Sequence, residues 1–120
     1  MISPNLLVIR AADIRETASF YEALGMRFHS ERHGSSAEHL ASQIGDFIFE
    51  IYPLAGNTST TATRIGFTVD SLDDAVNCAA AVHGKVITKP AQSAWGRRAV
   101  LMDPEGHKVE LTERLPGLCK

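Results

Sequence analysis

Two glutamates stand out in this 120-residue sequence because each lies in the middle of a short strand-like run. Glu50 is the fifth residue of "DFIFEIY" (46–52), and Glu110 lies in "HKVELT" (107–112), which follows the turn-forming residues "DPEG". Successive side chains of a strand point to opposite faces, so each carboxylate faces away from the apolar residues beside it. A carboxylate on a sheet face shielded from water needs a cation or hydrogen-bond donors nearby. Glu50 and Glu110 are therefore our candidate catalytic residues.

The two glutamates occupy matching places because the sequence repeats one pattern of elements. In module 1 (5–53), the patterns predict a strand at 5–11, a helix capped by Asp13 and ended by Gly25, and strands at 26–32, 37–44 and 46–52. In module 2 (64–113), they predict a strand at 64–69, a helix capped by Ser71 and ended by Gly84, and strands at 85–89, 97–102 and 107–112. We predict that residues 54–63 form a linker and residues 114–120 a tail. We predict one α+β domain of two βαβββ modules, whose strands form a partly closed, antiparallel-rich sheet around a cavity with helices on its outer face.

The composition is that of an ordinary globular protein, with 44% hydrophobic residues, 22% charged residues and a net charge of −2. This balance gives no reason to expect nucleic acid as a partner. No apolar run is long enough to span a membrane, and the first residues lack the pattern of a secretory leader. Cys78 and Cys119 show neither metal-binding spacing nor a disulfide pattern. We therefore expect a cytoplasmic protein that binds neither nucleic acid nor membranes.

Other residues are placed to share the cavity with the two glutamates. The candidates for contact with a ligand are Arg64, His39, Tyr52, Trp95, Arg98 and His107. His39 could act as a general base or a metal ligand, or could be a hydrogen-bonded polar residue of the cavity wall. Trp95, the one tryptophan, could stack on a ligand or cover the core. The sequence alone leaves these alternatives open.

The sequence resembles the vicinal oxygen chelate superfamily, which includes glyoxalase I, extradiol dioxygenases, bleomycin-resistance proteins and fosfomycin-resistance enzymes. The resemblance covers roughly residues 5–113 and depends on "ADIRETASFYEALGMRF", "FEIYP", "IGFTVDSLDDA" and "WGRRAVLMDPEGHKVELTE". It implies a homodimer and, in metal-using members, a divalent ion held by one residue near the start of each module and a glutamate in each last strand. Here the late positions are Glu50 and Glu110, whereas the early positions are Leu6 and Arg64, which offer no lone pair to a metal.

The residues and the resemblance together support two hypotheses of function. The first is a glyoxalase/bleomycin-resistance-like protein that binds a small molecule without a cofactor, with Arg64 placed between Glu50 and Glu110 in the role of the ion. The alternative is a metal-dependent lyase or isomerase of the glyoxalase I type, in which one divalent ion (Zn, Ni, Mn or Fe) is held by Glu50, Glu110 and His39. Whether the protein is an enzyme stays open, as does whether the cavity forms within one chain or across a dimer.

Overall fold

The computed structural model describes residues 1–115 and confirms the βαβββ order in both modules. Module 1 contains β1 (Leu6–Ala11), α1 (Ile14–Ala23), β2 (His29–Glu31), β3 (His39–Ile44) and β4 (Phe47–Pro53). Module 2 contains β5 (Arg64–Val69), α2 (Leu72–Ala80), β6 (Lys85–Ser93), β7 (Gly96–Met102) and β8 (Lys108–Glu113). Cys78 is exposed on α2, and Cys119 lies outside the described residues.

The strands form two four-stranded sheets, with orders β1-β4-β3-β2 and β5-β8-β7-β6. The last strand of each module runs parallel to the first strand, and the other neighbours are antiparallel. This follows from the connections, because the three strands after each helix alternate in direction and the third one again points along the first. Both sheets are open rather than closed into a barrel. The predicted α+β class is confirmed.

Both predicted helix starts are confirmed by side-chain caps. The Asp13 carboxylate accepts a hydrogen bond from the Glu16 amide at 3.0 Å, and the Ser71 hydroxyl accepts one from the Asp74 amide at 3.4 Å. These bonds satisfy amides that have no partner within the first turn.

The end of α2 differs from the prediction, which placed it at Gly84. The helix ends at Ala80, and His83 rather than Gly84 adopts the left-handed conformation, with φ of 68°. Gly84 has a different role, because a Cβ atom there would lie 2.6 Å from the Ala79 carbonyl oxygen. The sequence signal at Gly84 therefore reflects close packing rather than a helix cap.

Two strands differ from their predicted lengths by four residues each. The sequence predicts strand β6 at 85–89, but the strand continues to Ser93 through Pro90. Proline is tolerated there because β6 is an edge strand of its sheet, where an amide hydrogen is not needed on the outer side. Strand β2 is shorter than the predicted 26–32, covering only His29–Glu31.

The helices pack on one face of the sheets, and the buried side chains of both modules form one cluster. This core consists of Ile9, Ala11, Ala18, Phe20, Tyr21, Leu40, Phe49, Ile51, Ile65, Leu72, Val76, Ala79, Ala99, Leu101, Val109 and Leu111. Aromatic rings join the modules, since Phe67 lies 6.0 Å from Phe49 and 6.2 Å from Tyr21 between ring centroids. Within residues 1–115, neither helix has the length and apolar character needed to cross a membrane. The sheet faces opposite the core carry Glu50, Glu110 and several of the other candidate side chains.

Candidate functional site

Glu50 and Glu110 lie at equivalent positions on the two sheets. Glu50 pairs with Val8 of β1, and Glu110 pairs with Gly66 of β5. Their neighbours along the strands, Phe49, Ile51, Val109 and Leu111, are completely buried in the core. The glutamate side chains are 15% and 32% exposed, respectively, so both lie on the open faces but are partly shielded from water.

Two arginines hold the carboxylate of Glu110. Nε and Nη2 of Arg64 lie 2.9 and 2.6 Å from Oε2 of Glu110, and Nη2 of Arg98 lies 2.8 Å from Oε1. Each arginine is partly exposed, so either pair contributes at most about 1 kcal/mol to stability. The pairs matter more for the site, because two guanidinium groups beside one carboxylate leave an excess positive charge on this face.

A cavity of about 440 Å³ adjoins this cluster and is lined by Thr68, Trp95, Arg98, Glu110 and Thr112. Its volume falls within the range of small-molecule sites, about 300–1,000 Å³. Trp95 lies in the turn between β6 and β7 and is 80% exposed, so its indole is free to stack on a planar ligand. The cavity therefore offers an aromatic surface, a cation and hydroxyl groups.

The structure corrects the expectation that Arg64 bridges the two glutamates. Among residues 1–115, the acidic partner of Arg64 is Glu110 alone, and Arg98 supplies the second cation. The reason is the strand order: β5 is hydrogen-bonded to β8, whereas Glu50 lies on β4 of the other sheet. The two glutamates thus belong to separate clusters within one chain.

Glu50 belongs to a cluster built around His39 on the first sheet. The His39 side chain is 1% exposed, and its Nε2 atom lies 3.0 Å from Oε1 of Glu31 and 3.5 Å from Oε2 of Glu50. The imidazole stacks on the Tyr52 ring at 4.1 Å, and the Arg10 guanidinium lies 5.3 Å from the centre of that ring. His39 and Tyr52, both candidates from the sequence, are therefore in contact with each other but do not line the cavity beside Trp95.

Glu31 belongs to this cluster but is not among the residues that the sequence predicts. One carboxylate oxygen lies 2.7 Å from Nε2 of His29, and the other faces His39. Hydrogen bonds from His29 first and then His39 lower the pKa of Glu31 below its usual value. Strand alternation alone does not reveal it, because the contact depends on the register that sets Glu31 on β2 directly opposite His39 on β3.

The structure also corrects the expectation for His107, which was predicted to contact a ligand. Its side chain is fully buried, with Nδ1 at 2.9 Å from Oδ2 of Asp103 and Nε2 at 2.7 Å from the Thr60 hydroxyl. The physical reason is the alternation of the last strand, since residue 107 has the same parity as the core residues Val109 and Leu111. His107 joins the linker to the second module rather than lining a cavity.

The metal ion that the resemblance implies does not fit the residues at the corresponding positions. Leu6 offers only an aliphatic side chain, and Arg64 is a cation that already donates to Glu110. The rearranged set of Glu50, Glu110 and His39 is not brought together within the described chain, because Glu110 lies on the other sheet. We therefore derive no chemistry from an ion at these positions.

Two βαβββ modules, each with a four-stranded mixed sheet and one helix, define the structural class of this protein. Within that class, the chain belongs to the Glyoxalase/Bleomycin resistance protein/Dioxygenase superfamily, whose family model matches residues 3–111. No curated protein matches the sequence.

Solved structures share this fold at low sequence identity. The hypothetical protein SA1046 from S. aureus is 21% identical, with a TM-score of 0.75 over 95% of this chain and 98% of that chain. TnmS3, an antibiotic binding protein from Streptomyces sp. CB03234, is 18% identical, with a TM-score of 0.76 over 96% and 98% of the two chains. A glyoxalase/bleomycin resistance protein/dioxygenase family enzyme from Burkholderia phytofirmans PsJN is 22% identical, with a TM-score of 0.74 over 92% and 98%.

Proposed function

We propose that this protein binds a small organic molecule that carries a planar aromatic ring and an anionic group. The proposed site is the cavity of about 440 Å³ beside Trp95, and binding does not use the metal ion common in the superfamily. The observation that carries the proposal is the exposed indole of Trp95 next to Arg98, whose guanidinium is already held in place by Glu110.

The charge of the cluster favours an anionic ligand. Arg64 and Arg98 together carry two positive charges, and Glu110 balances one of them. A guanidinium has five N–H donors, and Arg98 directs one nitrogen to Glu110, so donors remain for a carboxylate or a similar planar anion. The ion pair with Glu110 also fixes the guanidinium before a ligand arrives, which lowers the entropic cost of binding.

The same contacts favour binding over proton transfer. Both oxygens of Glu110 already accept hydrogen bonds from arginines. Three N–H groups of Arg64 and Arg98 occupy most of its acceptor sites, so the main contacts of Glu110 are with the two arginines. TnmS3, which shares the fold, is described as an antibiotic binding protein. That description supports a comparable binding function here, with a ligand selected by this chain's own residues.

The single tryptophan provides a direct test. Aromatic carboxylates of benzoate to naphthoate size are titrated into the protein while Trp95 fluorescence and the melting temperature are recorded, with the matching neutral amides as ligand controls. We expect the carboxylates to change the fluorescence and raise the melting temperature more than the amides. Arg98→Met should weaken binding about tenfold or more, equivalent to about 1.4 kcal/mol.

Arg97→Met is the matched control, because Arg97 is the next residue of the same strand. Its side chain points to the other side and donates to Asp73 at 3.0 Å. This variant should keep the affinity of the unmodified protein. Equal loss in both variants, or equal binding of amides and carboxylates, would show that the proposed site is not the binding site.

A metal-dependent lyase or isomerase of the glyoxalase I type is the competing function, and it makes a different prediction. It requires turnover of the hemithioacetal of methylglyoxal when Ni, Zn, Mn or Fe is added. Turnover that disappears in Glu110→Gln would replace the binding proposal by an enzymatic one.

We also propose that the protein is a cytoplasmic homodimer. Leu6 and Ile48 form a cross-strand pair on the open face of the first sheet and are 54% and 37% exposed. A second copy of the chain that packs against Leu6 and Ile48 would bury this pair. Light scattering should then give twice the 13.0 kDa mass of one chain, and Ile48→Lys should shift the protein toward monomer. A single-chain mass at micromolar concentration would contradict the dimer.

A further inference from the structure

Three potential metal ligands meet on the open face of the first sheet. They are Glu31 at the end of β2, His33 in the following turn and His39 at the start of β3, and their ligand atoms all lie within 4.8 Å of one another. Nε2 of His39 lies 3.0 Å from Oε1 of Glu31, and Nε2 of His33 lies 3.8 Å from the same oxygen. Ligands about 2.1 Å from a tetrahedral zinc ion are about 3.4 Å apart, so these separations bracket the required value.

His39 shows that the cluster is suited to a cation. Its imidazole is almost completely buried, and Nδ1 has no hydrogen-bond partner among residues 1–115. Two carboxylate oxygens, one from Glu31 and one from Glu50, converge on the other nitrogen of the ring. A single N–H group at Nε2 makes one contact of 3.0 Å and a second of only 3.5 Å, whereas a divalent ion bound there would attract both carboxylates and balance their charge.

Two members of the cluster, Glu31 and His39, are also held in place by their neighbours. The His39 ring is stacked between His33, at 5.3 Å, and Tyr52, at 4.1 Å. Nε2 of His29 lies 2.7 Å from the second oxygen of Glu31, which leaves the first oxygen directed at His39. Such partners orient the ligands of a metal before it binds.

From these contacts we propose that Glu31, His33 and His39 form a binding site for a divalent first-row transition-metal ion, with Glu50 beside it. Two imidazoles and a carboxylate suit zinc, nickel, cobalt and iron, and they disfavour magnesium and calcium, which require oxygen ligands. Three protein ligands leave at least one coordination position for water or a bound molecule. None of the three residues occupies a ligand position that the superfamily resemblance implies, and the site lies on the other sheet from Trp95.

The test uses protein that carries no histidine tag and has been treated with a chelator to remove metal. Calorimetry and elemental analysis then measure its zinc binding. We expect one zinc ion per chain. His33→Asn is the first variant, because the His33 side chain is 74% exposed and its replacement should leave the fold intact. We expect it to weaken zinc binding by at least about tenfold, and Glu31→Gln to do the same.

His83→Asn is the matched control. His83 is 71% exposed and also faces a glutamate, with Nε2 at 3.9 Å from Oε2 of Glu16, but residues 1–115 supply no third ligand beside it. Zinc affinity should not change in this variant. Cobalt provides a second readout, since its visible absorption bands report nitrogen coordination and should be lost in His33→Asn.

The proposal is overturned if the unmodified chain binds no stoichiometric zinc, or if binding survives either His33→Asn or Glu31→Gln. It is equally overturned if His83→Asn weakens binding as much as His33→Asn does. Titration with aromatic carboxylates, followed by Trp95 fluorescence, measures ligand binding at the second sheet. A failure of the metal site can therefore be distinguished from a failure of the proposed small-molecule site.

Discussion

Replacement of Tyr21 by phenylalanine tests the buried network that joins the two modules. Tyr21 on α1 is completely buried, and its hydroxyl donates to Oδ2 of Asp103 at 2.6 Å. Burial first, and then the charge of Asp103, raises the pKa of Tyr21, so the hydroxyl stays a donor. Burial alone would raise the pKa of Asp103, but hydrogen bonds from His107 and Tyr21 outweigh it and lower that pKa. The substitution therefore removes a donor from a buried, ionised carboxylate.

The surroundings set the size of the effect at about 2 kcal/mol. A hydrogen bond to a charged group contributes about 1.5–3 kcal/mol. Asp103 keeps its other donors in the variant, namely the amides of Glu105, Gly106 and His107 and the His107 imidazole. The loss should thus stay below the roughly 3–5 kcal/mol expected for a buried charge left without a partner. The ring can keep its packing on Phe49, at 4.8 Å between centroids, so a cavity adds little.

Urea denaturation at pH 7, followed by circular dichroism, measures this difference. With a slope of about 2 kcal/mol per molar urea, Tyr21→Phe should lower the midpoint by roughly 1 M. Tyr52→Phe is the matched control, because the Tyr52 hydroxyl has no hydrogen-bond partner in the described chain. It should change stability by less than about 0.5 kcal/mol. A Tyr21→Phe loss no larger than that of the control would refute the reasoning.

Three further predictions concern stability. Because the pKa of Asp103 is lower in the folded protein than the value of about 3.9 in the unfolded chain, its charge stabilises the fold fully above about pH 3.9. This stabilisation is lost as the pH falls through the folded pKa. The difference in unfolding free energy between the unmodified protein and Asp103→Asn should therefore shrink in urea titrations below about pH 4. Gly84→Ala should lower the free energy of unfolding by about 1–3 kcal/mol, because its Cβ would lie 2.6 Å from a backbone oxygen. In Gly66→Ala the nearest contact of the new Cβ is 3.9 Å, so calorimetry should show a change within about 0.5 kcal/mol. Asp13→Ala removes the cap of α1 and should cost about 1 kcal/mol in thermal unfolding.

Local patterns in the sequence were sufficient to predict the two modules, because each pattern depends on residues close in the chain. The caps at Asp13 and Ser71 and the alternation around Glu50 and Glu110 are of this kind. The same alternation, applied to His107, would have placed that side chain in the core. The contribution of Glu31 was not accessible in this way, because it depends on which residue of β3 faces it.

The sequence by itself determined which side chains point away from the core, since strand alternation and helix periodicity are local properties of the chain. The tertiary structure decided which of those side chains meet. Pairing of β5 and β7 with β8 brought Arg64 and Arg98 to Glu110, and pairing of β2 with β3 brought Glu31 to His39. The physical reason is that strand order, and with it the pairing of strands distant in the chain, depends on how whole sheets pack against their helices, and no short segment of sequence contains that information.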